Sequence, residues 1–175
     1  MDGQSSYTIY TPGMEYKGDN EFVNETINAL NYVLKGDVNN IIDKLVNDNE
    51  HIVDIQKSST TEVSVFSGKI NFNPQDGLKV VDNKGKSTGE TQSPALGLLH
   101  ELGHKYVEFY NPEMEKLKLT ERKDYDTKEE KYIIQKIETP AAKILGEGVR
   151  NNHRGRLLRT INSTSREEAE DKKKK

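Results

Sequence analysis

The sequence predicts an α+β domain, in which a small antiparallel sheet packs with a buried central helix and with further helices near the C-terminus. Three observations indicate this class. Apolar residues recur at helical spacing over residues 19–46, short β-rich runs follow over residues 51–81, and helical spacing returns over residues 93–145. A chain of 175 residues is about the length of one domain, and we expect that domain to cover residues 1–162.

The first three predicted elements are a strand and two helices. Residues 7–12 alternate like a short strand and end at a Pro-Gly turn signal. Apolar residues then follow helical spacing from residue 19 until Gly36, which ends the helix. A second amphipathic helix is predicted over residues 38–46.

The middle of the chain reads as a small antiparallel meander. Four short runs rich in β-forming residues are separated by Ser/Thr, Ser-Gly, Pro-Gln-Asp-Gly and Asn-Lys-Gly. These runs are residues 51–56, 62–66, 69–73 and 78–81. The polar stretch over residues 82–92 is predicted to be a surface loop.

The next helix has a clear signal at each end. Ser93 is a good N-cap and Pro94 a good first helical residue, while Pro112 marks the far limit. Leucines and a valine leave little of this helix polar, which predicts that it is buried.

The C-terminal part is predicted to contain two more helices and a disordered tail. One helix covers residues 127–137, Pro140 interrupts it, and a short final helix over residues 141–145 ends at Gly146. From residue 163 to residue 175 the chain is charged and has no apolar pattern, so we expect it to be disordered.

The composition excludes several classes of function. The net charge is −3, so the chain lacks the basic field that binding to nucleic-acid phosphates requires. No apolar run is long enough to span a bilayer, and the N-terminus does not resemble a signal peptide, so we expect no membrane partner. The chain has no cysteine, and any metal must therefore be held by His, Asp or Glu.

The buried helix carries the sequence His-Glu-x-x-His. His100 and His104 lie one turn apart on the same face, so both imidazoles can reach one zinc ion at about 2.0–2.1 Å. Glu101 lies about 100° around the helix, where its carboxylate can take a proton from a water beside the metal. The alternative is that both histidines are ordinary core residues and that the pattern arose by chance.

A catalytic zinc ion usually has a third protein ligand, and the candidates are His51, His153 and the acids downstream of the motif. Glu130 ranks first, because isoleucines at i+3, i+4 and i+7 place it on the buried stripe of its helix. A buried carboxylate needs a partner, and a cation is the obvious one. His51 is predicted to be structural.

Two neighbouring acids are weaker candidates. Glu138 ranks second as a ligand, because Pro140 is expected to place it at a fraying helix end. Glu129 is rotated off the buried stripe, and we expect it either to support a ligand or to be solvated.

Arg150 and His153 form the last candidate pair. An arginine with a histidine three residues later could bind the oxyanion of a tetrahedral intermediate or a substrate carbonyl. Alternatively, Arg150 forms a salt bridge with Glu147 or a similar acid, and His153 lies on the surface.

Taken together, the segments "INFNPQDGL", "SPALGLLHELGHKY", "KEEKYI" and "ETPAAKILGEGVRNNHRG" resemble the NleD-type effector zinc metallopeptidases, including the C-terminal metallopeptidase domains of RHS-repeat polymorphic toxins. That family is in turn similar to clostridial neurotoxin light chains. The resemblance implies His100, His104 and Glu130 as zinc ligands, Glu101 as general base and Arg150 as transition-state stabiliser. His153 stands where the family has a tyrosine, and Ile-Ile-Gln replaces the usual Thr-Val-Gly after the Glu-Glu pair.

The sequence hypothesis is therefore a zinc-dependent endopeptidase of gluzincin-like zincin fold, with Glu101, Arg150 and His153 as catalytic residues. Its partner would be a protein or peptide substrate that pairs with an edge of the meander. The resemblance further implies a secreted or delivered toxin or effector, which could be part of a larger polypeptide. The alternative is a catalytically inactive zincin-like binding module with structural zinc.

Overall fold

Helices and short strands alternate along residues 20–170, the part of the chain that the computed structural model describes. The helices are α1 (Asn20–Val33), α2 (Ile41–Val46), α3 (Pro94–Tyr110), α4 (Pro112–Glu115), α5 (Lys128–Ile133), a π-helical turn (Ile134–Glu138) and α6 (Thr139–Leu145). The strands are β1 (Ile55–Lys57), β2 (Glu62–Val63), β3 (Ile70–Phe72), β4 (Asp76–Val81), β5 (Ser87–Gln92), β6 (Glu121–Arg122), β7 (Asp126–Thr127) and β8 (Gly155–Arg159). The predicted α+β class is confirmed.

The two N-terminal helices are present, although the second begins later than predicted. Helix α1 ends at Val33, close to the predicted stop, whereas α2 begins at Ile41 rather than at residue 38. Asn40 adopts a left-handed conformation with φ of 53°, and the Asp37 side chain accepts a hydrogen bond of 2.8 Å from the Ile42 N–H. These residues therefore form the turn before the helix. The strand predicted over residues 7–12 lies outside the described residues.

The strands form two three-stranded sheets and a small hairpin, so the single antiparallel meander is wrong. In the first sheet the order is β1-β3-β2, and β1 pairs parallel to β3. In the second sheet the order is β5-β4-β8, and both pairings are antiparallel. Strand β5 lies within the predicted loop and is mostly exposed, which explains its polar sequence. Strand β8 was not predicted because only Leu158 of its residues is buried.

Helix α3 has the limits that the sequence predicts, and it passes through the core. The Ser93 hydroxyl accepts a hydrogen bond of 3.2 Å from the Leu96 N–H, as an N-cap does. The helix packs against α1, the π-helical turn and the second sheet. The main core cluster contains Ala29, Leu30, Val33, Ile41, Ile70, Phe72, Leu96, Leu98, Leu99, Leu102, Ile133 and Ile137. No helix among residues 20–170 is both long and apolar enough to cross a membrane.

Residues 128–145 form one continuous helical segment, so the predicted interruption at Pro140 is wrong. The Thr139 N–H donates to the Ile134 carbonyl, five residues back, as in a π-helical turn. Proline has no N–H to donate to Lys136, and the Lys136 carbonyl instead accepts a hydrogen bond of 2.7 Å from Asn39 Nδ2. The helix ends as predicted at Gly146, which has a φ of 67°.

Residues 163–170 make specific contacts, contrary to the predicted disorder after residue 162. Ser163 is fully buried, its N–H donates to the Glu25 carboxylate at 2.7 Å, and its carbonyl accepts from the Ala95 N–H at 2.8 Å. Farther on, the Ala169 N–H donates to the Arg159 carbonyl at 2.7 Å. This segment is ordered by hydrogen bonds rather than by apolar packing, so its order could not be predicted from an apolar pattern in the sequence. Residues 171–175 lie outside the described part.

Two glycines of α3 are expected to respond oppositely to alanine. A Cβ at Gly103 would lie 3.1 Å from side-chain atoms of the buried Ile133 and Ile137, and such overpacking costs about 1–3 kcal/mol. Helix propensity offsets about 1 kcal/mol of this cost, so G103A should lower the free energy of unfolding by up to about 2 kcal/mol. A Cβ at Gly97 would meet only Thr61, at 3.8 Å, so G97A should raise it by about 1 kcal/mol through helix propensity. Urea unfolding measures both values, and equal effects would contradict the close approach at Gly103.

Candidate metal centre

The two histidines of the motif face a common point beside α3. His100 and His104 lie one helical turn apart, and their Nε2 atoms are 3.2 Å apart. The planes of their rings are inclined by 76°, so both nitrogens aim at the same region rather than stacking. His100 is buried and His104 is mostly buried, which keeps bulk water away from this region.

Glu130 reaches the same point from the first turn of α5. Its Oε2 lies 3.2 Å from His100 Nε2, and its Oε1 lies 3.3 Å from His104 Nε2. The Thr127 hydroxyl caps α5 by accepting a hydrogen bond of 3.0 Å from the Glu130 N–H, which orders the first turn of α5. The prediction that Glu130 lies on the buried side of its helix, facing the two histidines, therefore agrees with the structure.

The spacing of these atoms fits a tetrahedral metal site. Ligands at 2.0–2.1 Å from a zinc ion form a tetrahedron whose edges are about 3.3–3.4 Å long. His100 Nε2 lies 3.2 Å from His104 Nε2 and 3.2 Å from Glu130 Oε2, which are two edges of about this length, while His104 Nε2 lies 3.3 Å from the other Glu130 oxygen, Oε1. Glu130 Oε2 is also buried and has no hydrogen-bond partner within residues 20–170. A buried carboxylate oxygen without a hydrogen-bond donor is costly, and a cation between it and His100 Nε2 would satisfy it.

A carboxylate holds the far nitrogen of each imidazole. His100 Nδ1 lies 2.9 Å from Glu138 Oε2, and His104 Nδ1 lies 2.8 Å from Glu129 Oε1. Because an ionised carboxylate only accepts hydrogen bonds, each Nδ1 donates, and the lone pair of each neutral ring lies on Nε2. Metal-binding histidines are typically oriented by such carboxylates. Glu129 is thus a buried support for His104, which was one of its two predicted roles.

The electrostatics of the cluster favour positive charge between the imidazoles and Glu130. Burial on its own would lower the pKa of His104, but the hydrogen bonds to Glu129 and Glu130 raise its pKa to about 10. Burial would likewise raise the pKa of Glu130, but His100 and His104 hold the pKa of that carboxyl well below its usual range. A field that retains a proton at this place would also retain a metal cation.

Glu138, the second-ranked ligand candidate, lies on the opposite side of His100 and is fully occupied by other partners. It is buried rather than at a fraying helix end, and its carboxylate accepts from Arg150 Nε at 2.8 Å and from Arg150 Nη2 at 2.5 Å. Gln92 Nε2 also donates to it at 2.8 Å. Since Glu138 faces Nδ1 of His100 rather than Nε2, it does not join the converging ligand atoms.

Arg150 forms a buried salt bridge with Glu138, an acid of the kind that the alternative interpretation predicted, whereas Glu147 is used elsewhere. The Glu147 carboxylate accepts from the Ser93 N–H at 2.7 Å and from the Tyr32 hydroxyl at 2.8 Å, and so supports the start of α3. Two nitrogens of the Arg150 guanidinium bind Glu138, while Nη1 has one long contact, 3.4 Å from the His153 carbonyl. Nη1 is therefore the part of Arg150 that is most available to a ligand.

His153 also points at the centre. Its Nε2 lies 3.5 Å from Glu130 Oε1, and its ring lies over that of His100 with centroids 6.2 Å apart. His100, Glu130 and His153 each offer one ligand atom, and these three atoms lie within 4.8 Å of one another. His153 Nδ1 lies 2.5 Å from Asp126 Oδ2. His153 thus lies between the two alternatives, since it faces the cluster while one third of its side chain is exposed.

Glu101 lies beside the converging ligand atoms rather than among them. Its Oε2 accepts a hydrogen bond of 2.9 Å from the backbone N–H of Val63 in strand β2. Burial raises the pKa of the Glu101 carboxyl, as expected for a carboxylate near the core. This placement connects the motif helix to the edge of the first sheet.

An open pocket of about 360 Å³ lies next to these side chains. His100, Glu101, Arg150 and His153 form one wall, and Asp76 belongs to the lining as well. The pocket is also lined by Thr61, Gly77, Leu78, Gln92, Ser93, Gly97, Gly155, Arg156 and Leu157. The pocket therefore gives a ligand of several atoms access to the predicted catalytic residues.

His51 belongs to a different cluster, as predicted for a structural residue. Its ring stacks on Phe109 with centroids 4.3 Å apart, and its Nδ1 lies 2.8 Å from Asp48 Oδ2. The contact between His51 and Asp48, three residues earlier, was not predicted from the sequence. Asp126, the partner of His153, was also missed, because nothing in the sequence relates two residues that are 27 positions apart.

No protein-family model, curated protein or solved structure matches this chain.

Proposed function

We propose that the protein is a zinc-dependent endopeptidase of gluzincin-like zincin fold. The observation that carries this proposal is the convergence of His100 Nε2, His104 Nε2 and the Glu130 carboxylate within 3.2–3.3 Å, with Glu101 beside them on the wall of a pocket. Nitrogen and carboxylate donors at this spacing suit zinc, and a chain without cysteine offers no thiolate alternative. The family resemblance in the sequence supports the same ligand set.

Bound at this centre, zinc would act as a Lewis acid that polarises a carbonyl group and lowers the pKa of water. The protein's own residues supply the rest of the chemistry. Glu101 takes a proton from the attacking water at its carboxylate and passes it to the amine that leaves. The hydrogen bond from Val63 to Glu101 Oε2 orients that carboxylate, which leaves Oε1 to handle the proton.

The substrate would lie along the outer edge of β2. Strand β2 is at the end of the first sheet, and Thr61, just before it, lines the pocket. The Val63 N–H is already bound to Glu101, so a peptide would pair with the other polar groups of this edge. A peptide strand next to this edge would run past the pocket, in the mode by which extended peptides add to sheets. Arg150 and His153 line the pocket, where the Arg150 guanidinium, and His153 when it is protonated on Nε2, can donate to the oxygen of the scissile carbonyl.

The proposed biological setting depends on resemblance to NleD-type effectors and RHS-repeat toxin domains. In that setting the domain would be a secreted or delivered toxin or effector, carried within a larger polypeptide as RHS-repeat toxin domains are, that cuts a protein in the target cell.

A second candidate function is a catalytically inactive zincin-like module with structural zinc. The specific observation in its favour is His153, whose Nε2 lies 3.5 Å from Glu130 and could supply a fourth protein ligand. A structural zinc site has four protein ligands and no open position.

Metal analysis combined with a proteolysis assay tests the proposal. Purified protein reconstituted with zinc should hold one ion per chain and should cleave an unfolded protein such as reduced casein. A chelator should stop the cleavage, and added zinc should restore it. One bound zinc without cleavage would favour the structural module, and no bound zinc would contradict both candidates.

Glutamine at Glu129 should weaken zinc binding without removing a ligand. The Glu129 carboxylate orients His104 through a hydrogen bond of 2.8 Å, and loss of such an outer partner typically costs 10–100-fold in metal affinity. Competition with a chromophoric chelator measures the affinity, and E121Q, which changes an exposed acid in β6, is the control. Equal affinities of E129Q and wild type would show that Glu129 does not support the site.

A further inference from the structure

We propose that His153 is a fourth, displaceable ligand of the metal, which closes the site until an incoming oxygen donor takes its place. This inference rests on the proposed zinc site, and it adds a resting state that the endopeptidase mechanism does not require.

The position of the His153 side chain suggests the ligand role. Its Nε2 lies 3.5 Å from Glu130 Oε1, close to the edge of about 3.3–3.4 Å that a zinc tetrahedron requires. Its ring lies nearly parallel to that of His100, with centroids 6.2 Å apart, and its ligand atom lies within 4.8 Å of those of His100 and Glu130. Rotation of the side chain would bring Nε2 to the fourth position of the proposed ligand set.

His153 shares the support that characterises the other two histidines. His100 Nδ1 is held by Glu138, His104 Nδ1 by Glu129, and His153 Nδ1 by Asp126 at 2.5 Å. In each pair the carboxylate keeps the proton on Nδ1 and the lone pair on Nε2, which is the tautomer that a metal needs. A histidine that only donated a hydrogen bond to substrate would need the opposite tautomer or a second proton.

The support of His153 is also the weakest of the three, which makes this ligand the one that can leave. The side chains of Glu138 and Glu129 are 1% and 5% exposed, whereas that of Asp126 is 69% exposed. Asp126 lies at the hairpin of β6 and β7 with a φ of 60°. Solvent competes for its carboxylate, so little free energy is lost when His153 moves away.

The backbone of His153 is fixed even though its side chain is accessible. Its N–H donates to the Asp124 carbonyl at 2.9 Å, within the same hairpin. Exchange at the metal then needs only rotation of the His153 side chain, and no proton or electron is transferred. With His153 in place, the fourth position of the metal would be closed to small ligands. A substrate strand in the pocket would displace the imidazole from that position.

Cobalt substitution tests the ligand role through a readout that does not depend on activity. Four-coordinate Co²⁺ absorbs visible light more strongly than Co²⁺ with added water ligands, so H153A should show a weaker spectrum than wild type. Loss of a ligand should also lower zinc affinity by at least about tenfold, the smallest loss seen for an outer partner. D126N, at an exposed position where asparagine tolerates the left-handed backbone, should show an intermediate loss.

The matched control is H51A, which removes a histidine from the unrelated Phe109 cluster and should leave both measurements unchanged. Circular dichroism checks that each variant is folded. If H153A has the cobalt spectrum and the zinc affinity of wild type, His153 is not a ligand.

Titration with acetohydroxamate tests whether His153 is displaceable. The probe should bind H153A at least about tenfold more tightly than wild type, because it has no imidazole to displace. Equal affinities would overturn the closed resting state. Failure of the proposed function gives different results. Wild type that binds no metal contradicts the zinc site and this inference together, whereas metal binding with these spectral changes but no proteolysis contradicts only the endopeptidase.

Discussion

Replacing Glu101 by glutamine should reduce peptide cleavage by roughly 10²–10⁴-fold while zinc remains bound. A glutamine amide cannot take up the proton of the attacking water, which is the role proposed for this carboxylate. The change should leave the fold intact, because the amide oxygen can still accept the hydrogen bond from the Val63 N–H. Zinc should remain because His100, His104 and Glu130 provide the converging ligand atoms.

The loss should appear in the rate at saturating substrate, measured with a peptide that zinc-loaded wild type cleaves. Metal content is determined on the same samples, so that loss of zinc and loss of the base are separated. E113Q is a suitable control, since Glu113 is an exposed acid in α4 that does not line the pocket. Cleavage by zinc-loaded E101Q at the wild-type rate would refute the proposed role of Glu101.

Replacing Glu138 by alanine should lower the free energy of unfolding by about 3–5 kcal/mol, the usual cost of removing one partner of a buried ion pair. The change leaves the buried Arg150 guanidinium without its carboxylate and removes the hydrogen-bond partner of His100 Nδ1. Gln92 Nε2 loses one of its two acceptors and retains the Gly148 carbonyl. This effect is independent of the proposed function, because it depends only on buried charges.

Urea unfolding in the presence of a chelator isolates this effect from any contribution of bound metal. The matched control is E113A, which breaks a salt bridge between two largely exposed side chains, Glu113 and Lys116, and should leave the midpoint unchanged. E138Q keeps the shape of the side chain and tests the charge alone. If E138A and E113A have equal midpoints, the Glu138–Arg150 pair does not stabilise the fold as the structure indicates.

Local sequence signals were enough to predict which three side chains meet beside α3. His100 and His104 follow from the helical repeat, and Glu130 follows from its position on an apolar stripe. Both arguments use only residues within two or three turns of one helix. They work because burial on α3 and α5 decides which side chains face each other.

The supporting contacts could not be predicted in the same way, because they join distant parts of the chain. Glu138 meets Arg150, which is 12 positions away, across a helical segment that continues through Pro140, where Asn39 binds the Lys136 carbonyl. Asp126 lies in the hairpin of β6 and β7 and meets His153, which is 27 positions away in the sequence. A backbone hydrogen bond supplied from another element leaves no local pattern in the sequence.

The π-helical turn between α5 and α6 amounts to one additional residue in a helix. In an unbroken α-helix, two residues eight positions apart point about 80° away from each other. One extra residue changes this angle by about 100°, so the two residues point in directions only about 20° apart. Glu130 and Glu138 can thus both reach His100, one at each ring nitrogen. A related sequence with one residue fewer in this turn would rotate its equivalent of Glu138 away from His100. A one-residue gap at this place in an alignment would therefore mark the loss of that contact, even where every other residue is identical.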